Sequence, residues 1–261
     1  MFYLIRIFGR ISVIVAVLLA AVVVLNRRPA ARSKAAVPVT APAELPGAPS
    51  PAAKGEPALA VAKRFTSATS QEERLKCVRK PSEVAAEMAD FFSRGPGAHE
   101  KVEEIMPMGP VVVGELNYES FGVRMTNGKM RMLGVVPAGD GAKVDFHAYA
   151  RHGSQPWSAM LSGEAKEATE MRVLVQPGNY YNFGFDDEQR WQNFTATSPD
   201  LEQPLQFYLE RSNPALGQLR ALSPVRPTRV TLAIRPVADS HLNGQFEITH
   251  CLNLGWVLPE P

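Results

Sequence analysis

Arg124, Arg131, Asp145, His147 and His152 are the residues of this chain whose types and spacing could do chemistry. On an extended strand, positions two apart point the same way, so Asp145 and His147 would stand together as a general acid/base pair. Arg124 and Arg131 flank Asn127-Gly128, a strong hairpin signal. With a two-residue turn, Arg124 faces Arg131, and two guanidinium groups side by side require an anion or a carboxylate between them. Together with His152 they would form an anion-binding patch. The alternative is a solvated sheet face laced with cross-strand ion pairs, each worth at most about 1 kcal/mol.

The elements that must position these residues follow from the hydrophobic pattern. Leu59, Ala62 and Phe65 share one helical face, and Thr69-Ser70-Gln71-Glu72 offers a capping box before a short helix. Pro81 suits a first helical position, Val84, Met88, Phe91 and Phe92 recur at helical spacing, and Gly95-Pro96-Gly97 ends the run. Strands are expected from Val111, over Phe121 to Thr126 and Lys129 to Val136, and over Val144 to Tyr149, where Asp145, His147 and Tyr149 would face outward. More sheet follows over Met171 to Val175, Tyr180 to Phe185, Trp191 to Thr197 and Leu205 to Glu210. Asn213 to Leu222 reads as helix, and Arg229 to Arg235 with Gln245 to Leu254 as a closing antiparallel pair.

Other constellations carry less. Cys77 and Cys251 are the only cysteines and read as separate thiols acting as small apolar residues. There is no CxxC motif and no Cys/His quartet, so no metal and no cofactor are expected. Asp186-Asp187-Glu188 lacks the calcium-loop pattern and reads as an exposed turn. Tyr180, Tyr181, Phe183, Phe185 and Trp191 could wall a ligand or simply fill a core. His250 and Cys251 are strand neighbours that point apart, and Asn193-Phe194-Thr195 is a glycosylation sequon by form only. A net charge of +2 gives no broad footprint for nucleic acid.

Upstream of this part, Ile11 to Leu25 is an uninterrupted apolar run with Arg6 and Arg10 before it and Arg27 and Arg28 after it. Counted from Phe2 to Leu25, a helix would be about 36 Å long, enough to cross a bilayer core of roughly 30 Å. No small-x-small cleavage site follows, so residues 1–28 read as a retained single-pass anchor that contacts membrane lipid through residues 2–25. The larger basic cluster after the span places the globular part on the cytoplasmic side, whereas a short charged amino-terminal tail is also the usual start of an export signal. Residues 29–57, rich in Ala and Pro, read as a disordered linker that holds the domain away from the bilayer.

Short helices followed by strongly alternating antiparallel strands resemble the NTF2-like or cystatin-like α+β architecture, in which a curved sheet wraps a helix. More narrowly, the Glu-Glu-Arg-Leu-Lys-Cys-Val-Arg-Lys-Pro core within Phe65 to Phe92 resembles uncharacterised single-span bacterial membrane proteins. So do Val144-Asp145-Phe146 before Pro156-Trp157, Tyr180-Tyr181-Asn182-Phe183-Gly184-Phe185 and the ending Gly255-Trp256-Val257. The resemblance implies a bacterial inner-membrane location. This chain departs from the frequent Asp-Trp-Glu of that group by reading Asp145-Phe146-His147.

The expected organisation is therefore an anchor, a linker, an NTF2-like α+β domain over residues 58–168 and a β-rich half over residues 169–261 packed on it. The expected function is a non-catalytic, membrane-tethered binding or assembly module that meets a protein partner or a second copy of itself. The alternative is a membrane-anchored enzyme using Asp145 and His147 as base and acid.

Overall fold

The computed structural model describes residues 56–139, 141–165, 167–198, 201–237 and 244–260, and residues Ala52–Pro261 form one compact unit. The expected anchor and most of the linker lie outside the described residues. Among the described residues, no helix is long and apolar enough to cross a membrane.

Three helices open the described part. Helix α1 (Ala58–Ser67) buries Val61, Ala62 and Phe65, a single stripe at helical spacing. Helix α2 (Gln71–Leu75) starts from a capping box one residue later than expected. Ser70 Oγ accepts from Glu73 N at 3.2 Å, and Glu73 Oε2 accepts from Ser70 N at 3.3 Å. Helix α3 (Pro81–Ser93) has Pro81 in its first turn, where a missing N–H costs nothing, and buries Val84, Met88 and Phe91.

The chain then forms a four-stranded antiparallel meander, β1 (Val102–Val113), β2 (Leu116–Met125), β3 (Met130–Ala138) and β4 (Gly141–Val144), paired in that order. One face, with Phe121, Val123, Met125, Leu133 and Val135, packs on α1 and α3 in a core that also holds Cys77. The opposite face carries Leu116, Tyr118, Met132 and Val136 and is covered by Trp256 and Val257. Gly134 makes room for this cover: a Cβ there would lie 2.5 Å from Val257 Cγ2.

The hairpin lies where Asn127-Gly128 puts it, but its register differs from the expectation. Met125 N donates to Lys129 O and Gly128 N to Met125 O, so three residues form the loop, with Gly128 at φ 79°. Arg124 therefore faces Met130, and Val123 faces Arg131. A one-residue slip moves every side chain to the other face.

Helix α4 (Phe146–Ala150) stands where the last strand of this half was expected. The alternation of Val144 to Tyr149 suggests a strand, but Asp145 acts as an N-cap, its Oδ1 accepting from Ala148 N at 2.8 Å. The strand consequently ends at Val144.

Helix α5 (Trp157–Ser162) leads into a closed five-stranded barrel made of β5 (Thr169–Pro177), β6 (Trp191–Ser198), β7 (Leu201–Glu210), β8 (Thr228–Pro236) and β9 (Gln245–Asn253), with helix α6 (Ala215–Leu219) between β7 and β8. Its order is β5-β6-β7-β9-β8, antiparallel throughout except for the parallel β7–β9 pair that closes it. Val173, Phe194, Leu205, Phe207, Leu232 and Ile248 fill its core, which Trp157 and Met160 of α5 and Leu216 and Leu219 of α6 join. The β8–β9 pair is antiparallel, as expected.

Tyr180 to Phe185 is not a strand. Only Phe183–Phe185 forms a 3-10 turn, and the segment before it is pinned at Tyr180, whose N donates to Oδ1 of buried Asn193 at 3.1 Å. Burial of Asn193 also removes it as a glycosylation acceptor. Cys77 and Cys251 are both free thiols, in different cores.

Candidate functional site

The expected pairing of Arg124 with Arg131 does not occur, because the register sets them on opposite faces of the sheet. Arg124 is half-exposed and pairs with Glu103 and Glu104. Arg131 is buried against Glu100, with Nη2 2.9 Å from Oε1, and its guanidinium lies 5.0 Å from the Phe91 ring centroid. Neither is placed to hold an external anion with the other.

Asp145 and His147 do not form an acid/base pair either. Asp145 is buried, with one oxygen capping α4 and the other accepting from Arg79 Nη1 at 3.0 Å. Arg79 also donates to Leu258 O and to Glu260, which ties this aspartate into the structure.

A different set converges. Helix α3 presents Glu87, α4 presents His147, and Arg151, in the left-handed conformation at φ 55°, turns the chain so that His152 N donates to His147 O at 2.9 Å. The two imidazole rings stack with centroids 4.4 Å apart. His147 Nε2 lies 2.8 Å and His152 Nδ1 3.1 Å from the same atom, Glu87 Oε2. Burial, His147 and Arg172 push the imidazolium form of His152 below its ordinary range, against the pull of Glu87. The second strand of support is Arg172, buried on β5, whose Nη1 donates to Glu170 at 2.6 Å and to His152 O at 3.3 Å while its Nε holds Trp256 O at 2.8 Å.

Two cavities meet at His152. One, of about 340 Å³, is polar at its rim and lined by Arg79, Lys80, Asp145, His147, His152, Ser154 and Arg172. The other, of about 610 Å³, is bounded by Glu87 and His152 and by apolar Phe91, Phe146, Trp157 and Met171.

No family model, curated protein or solved structure matches this chain. The sequence pattern selects His147 and His152 but not Glu87, Arg79 or Arg172, each supplied by a distant element. The only local hint was the placement of Glu87 beside the buried stripe of Val84, Met88 and Phe91.

The remaining candidates are structural. Asp186-Asp187-Glu188 is exposed, and Asp187 Oδ1 accepts from Gln189 N and Arg190 N as a turn residue. Among the aromatics, Phe185 stacks on Tyr208 at 3.9 Å and meets Trp191 edge-on, whereas Tyr180 and Phe183 are exposed. His250 is exposed on β9 and Cys251 half-buried, with its thiol pushed up by burial.

Proposed function

We propose that this protein is a non-catalytic binding or assembly module held at a membrane by residues 2–25, with the His147/His152 cleft as its contact site. One observation carries this reading over the acid/base enzyme: both oxygens of Asp145 are committed, one to an N-cap and one to Arg79. Each carboxylate oxygen can accept twice, so it is the burial and fixed orientation of Asp145, with His147 held by Glu87 instead, that part the expected base from the expected acid. The NTF2-like or cystatin-like arrangement is part of the proposal, supported by α1 and α3 packing on one face of an antiparallel meander. Single-pass insertion in a membrane is supported by the apolar run and its flanking arginines, and the choice of a bacterial inner membrane rests on the resemblance alone.

The contact is made with a protein partner rather than through sheet-edge pairing of two copies. Strand β1 is the outer strand of its sheet and carries Pro107 and Pro110, which have no N–H to offer a new strand.

Two measurements test the reading. Full-length chain should resist alkaline extraction from membranes, and deletion of residues 2–25 should release it. Asp145→Asn should lower the melting temperature without abolishing any turnover. A hydrolytic activity that disappears in Asp145→Asn while the melting temperature stays unchanged would overturn the proposal in favour of the enzyme.

A further inference from the structure

We infer that Glu87, His147 and His152 form a binding site for one divalent first-row transition-metal ion, with Zn²⁺ the best fit. One donor atom from each residue lies within 4.8 Å of the other two. Donors around a tetrahedral zinc at about 2.0–2.1 Å are separated by roughly 3.3–3.5 Å. The edges from Glu87 Oε2 to the two imidazole nitrogens, 2.8 and 3.1 Å, need to open by only about half an ångström to reach that spacing.

The backbone that carries the donors is already fixed. Val84, Met88 and Phe91 anchor α3 on either side of Glu87, Phe146 and Ala148 anchor α4 around His147, and Arg172 holds the carbonyl of His152. The three side chains themselves are partly exposed, 42 % for Glu87, 30 % for His147 and 24 % for His152, so an ion has an entry path and the rotamers have room to adjust.

The donor set selects the ion. Two imidazole nitrogens and one carboxylate suit Zn²⁺ and its transition-metal neighbours, whereas Mg²⁺ and Ca²⁺ take oxygen donors. Three protein ligands leave a coordination position open, and both histidines line the 340 Å³ cavity, so water reaches that position.

The test uses untagged full-length chain in detergent, stripped with a chelator and titrated with Co²⁺ by visible absorption. One Co²⁺ per chain should give ligand-field bands that Zn²⁺ removes and Mg²⁺ does not. Glu87→Gln, His147→Ala and His152→Ala should each weaken binding by more than the roughly 10–100-fold typical of losing a supporting residue. His250→Ala should leave it unchanged. X-ray absorption on the zinc-loaded wild-type chain reads the ligands without any variant, and should show two imidazoles and no sulfur. Absence of saturable Co²⁺ binding, a thiolate ligand, or binding that survives the His147→Ala/His152→Ala double substitution would overturn the assignment.

Discussion

The helix-covered sheet and the barrel solve the same packing problem with different materials. The barrel core is a continuous cluster of aliphatic and aromatic side chains, and its ion pairs lie outside that cluster: Arg235–Glu247 on the surface, and buried Arg172 with Glu170 where β5 meets the histidines. The sheet half buries Arg131 with Glu100 and Arg79 with Asp145, and carries the Glu87/His147/His152 cluster on α3, α4 and the turn after α4. An apolar core tolerates loss of a methylene by degrees, but a buried charge tolerates no loss of its partner. The barrel core is thus the apolar scaffold, and the geometry that depends on charge lies in the sheet half and in Arg172 of the barrel strand beside it.

The sharpest way to break this contrast is to remove one member of the buried pair. Glu100→Ala should cost about 3–5 kcal/mol in denaturant unfolding, because it removes the carboxylate that buried Arg131 contacts through both Nε and Nη2. A loss below about 1 kcal/mol would show that the pair is solvated and that the two halves do not differ.

Next in size is an alkaline transition. Burial pushes the Tyr149 phenol up to about 12, against the opposing effect of nearby Arg131. A raised folded-state value means that the neutral form contributes full stability below pH of about 10, lost as pH rises through 12. The loss should reach roughly 2–3 kcal/mol, and Tyr149→Phe should flatten stability over that window.

Gly134→Ala should cost about 1–3 kcal/mol, since its Cβ would meet Val257 Cγ2 at 2.5 Å and force the covering segment away. The smallest effect belongs to the barrel surface. Glu247→Ala should change stability by about 0.2–1 kcal/mol even though Arg235 contacts both its carboxylate oxygens at 2.9–3.0 Å, because the arginine is exposed.

What the sequence made legible was local. The apolar stripes of α1 and α3, Pro81 at its helix start and the Asn127-Gly128 hairpin all follow from spacing and turn chemistry. The hairpin register did not, because Asn-Gly serves two-residue and three-residue loops alike, and the choice decides which face receives Arg131. Val144 to Tyr149 satisfies two periods at once. Phe146, Tyr149 and Ala150 fit a helix as well as the alternation fits a strand, and the Asp145 cap settled the matter.

The site was half legible for the same reason. His147 and His152 lie close in sequence, but Glu87 reaches them only once α3 has docked on the sheet, and Arg172 only once β5 has formed. Barrel closure through the parallel β7–β9 pair likewise joins segments that no turn connects.

Trp256 and Val257 give the fold a direction in time. Trp256 donates to Val173 O at 3.0 Å, its carbonyl accepts from Arg172, and Val257 lies over Gly134. During synthesis the meander is complete long before these residues leave the ribosome, so the part of its second face that they cover stays open while the barrel is being made. A nascent chain arrested before residue 256 should therefore expose Tyr118 and Met132 to proteases and chaperones, and release past that point should close both halves in a single step.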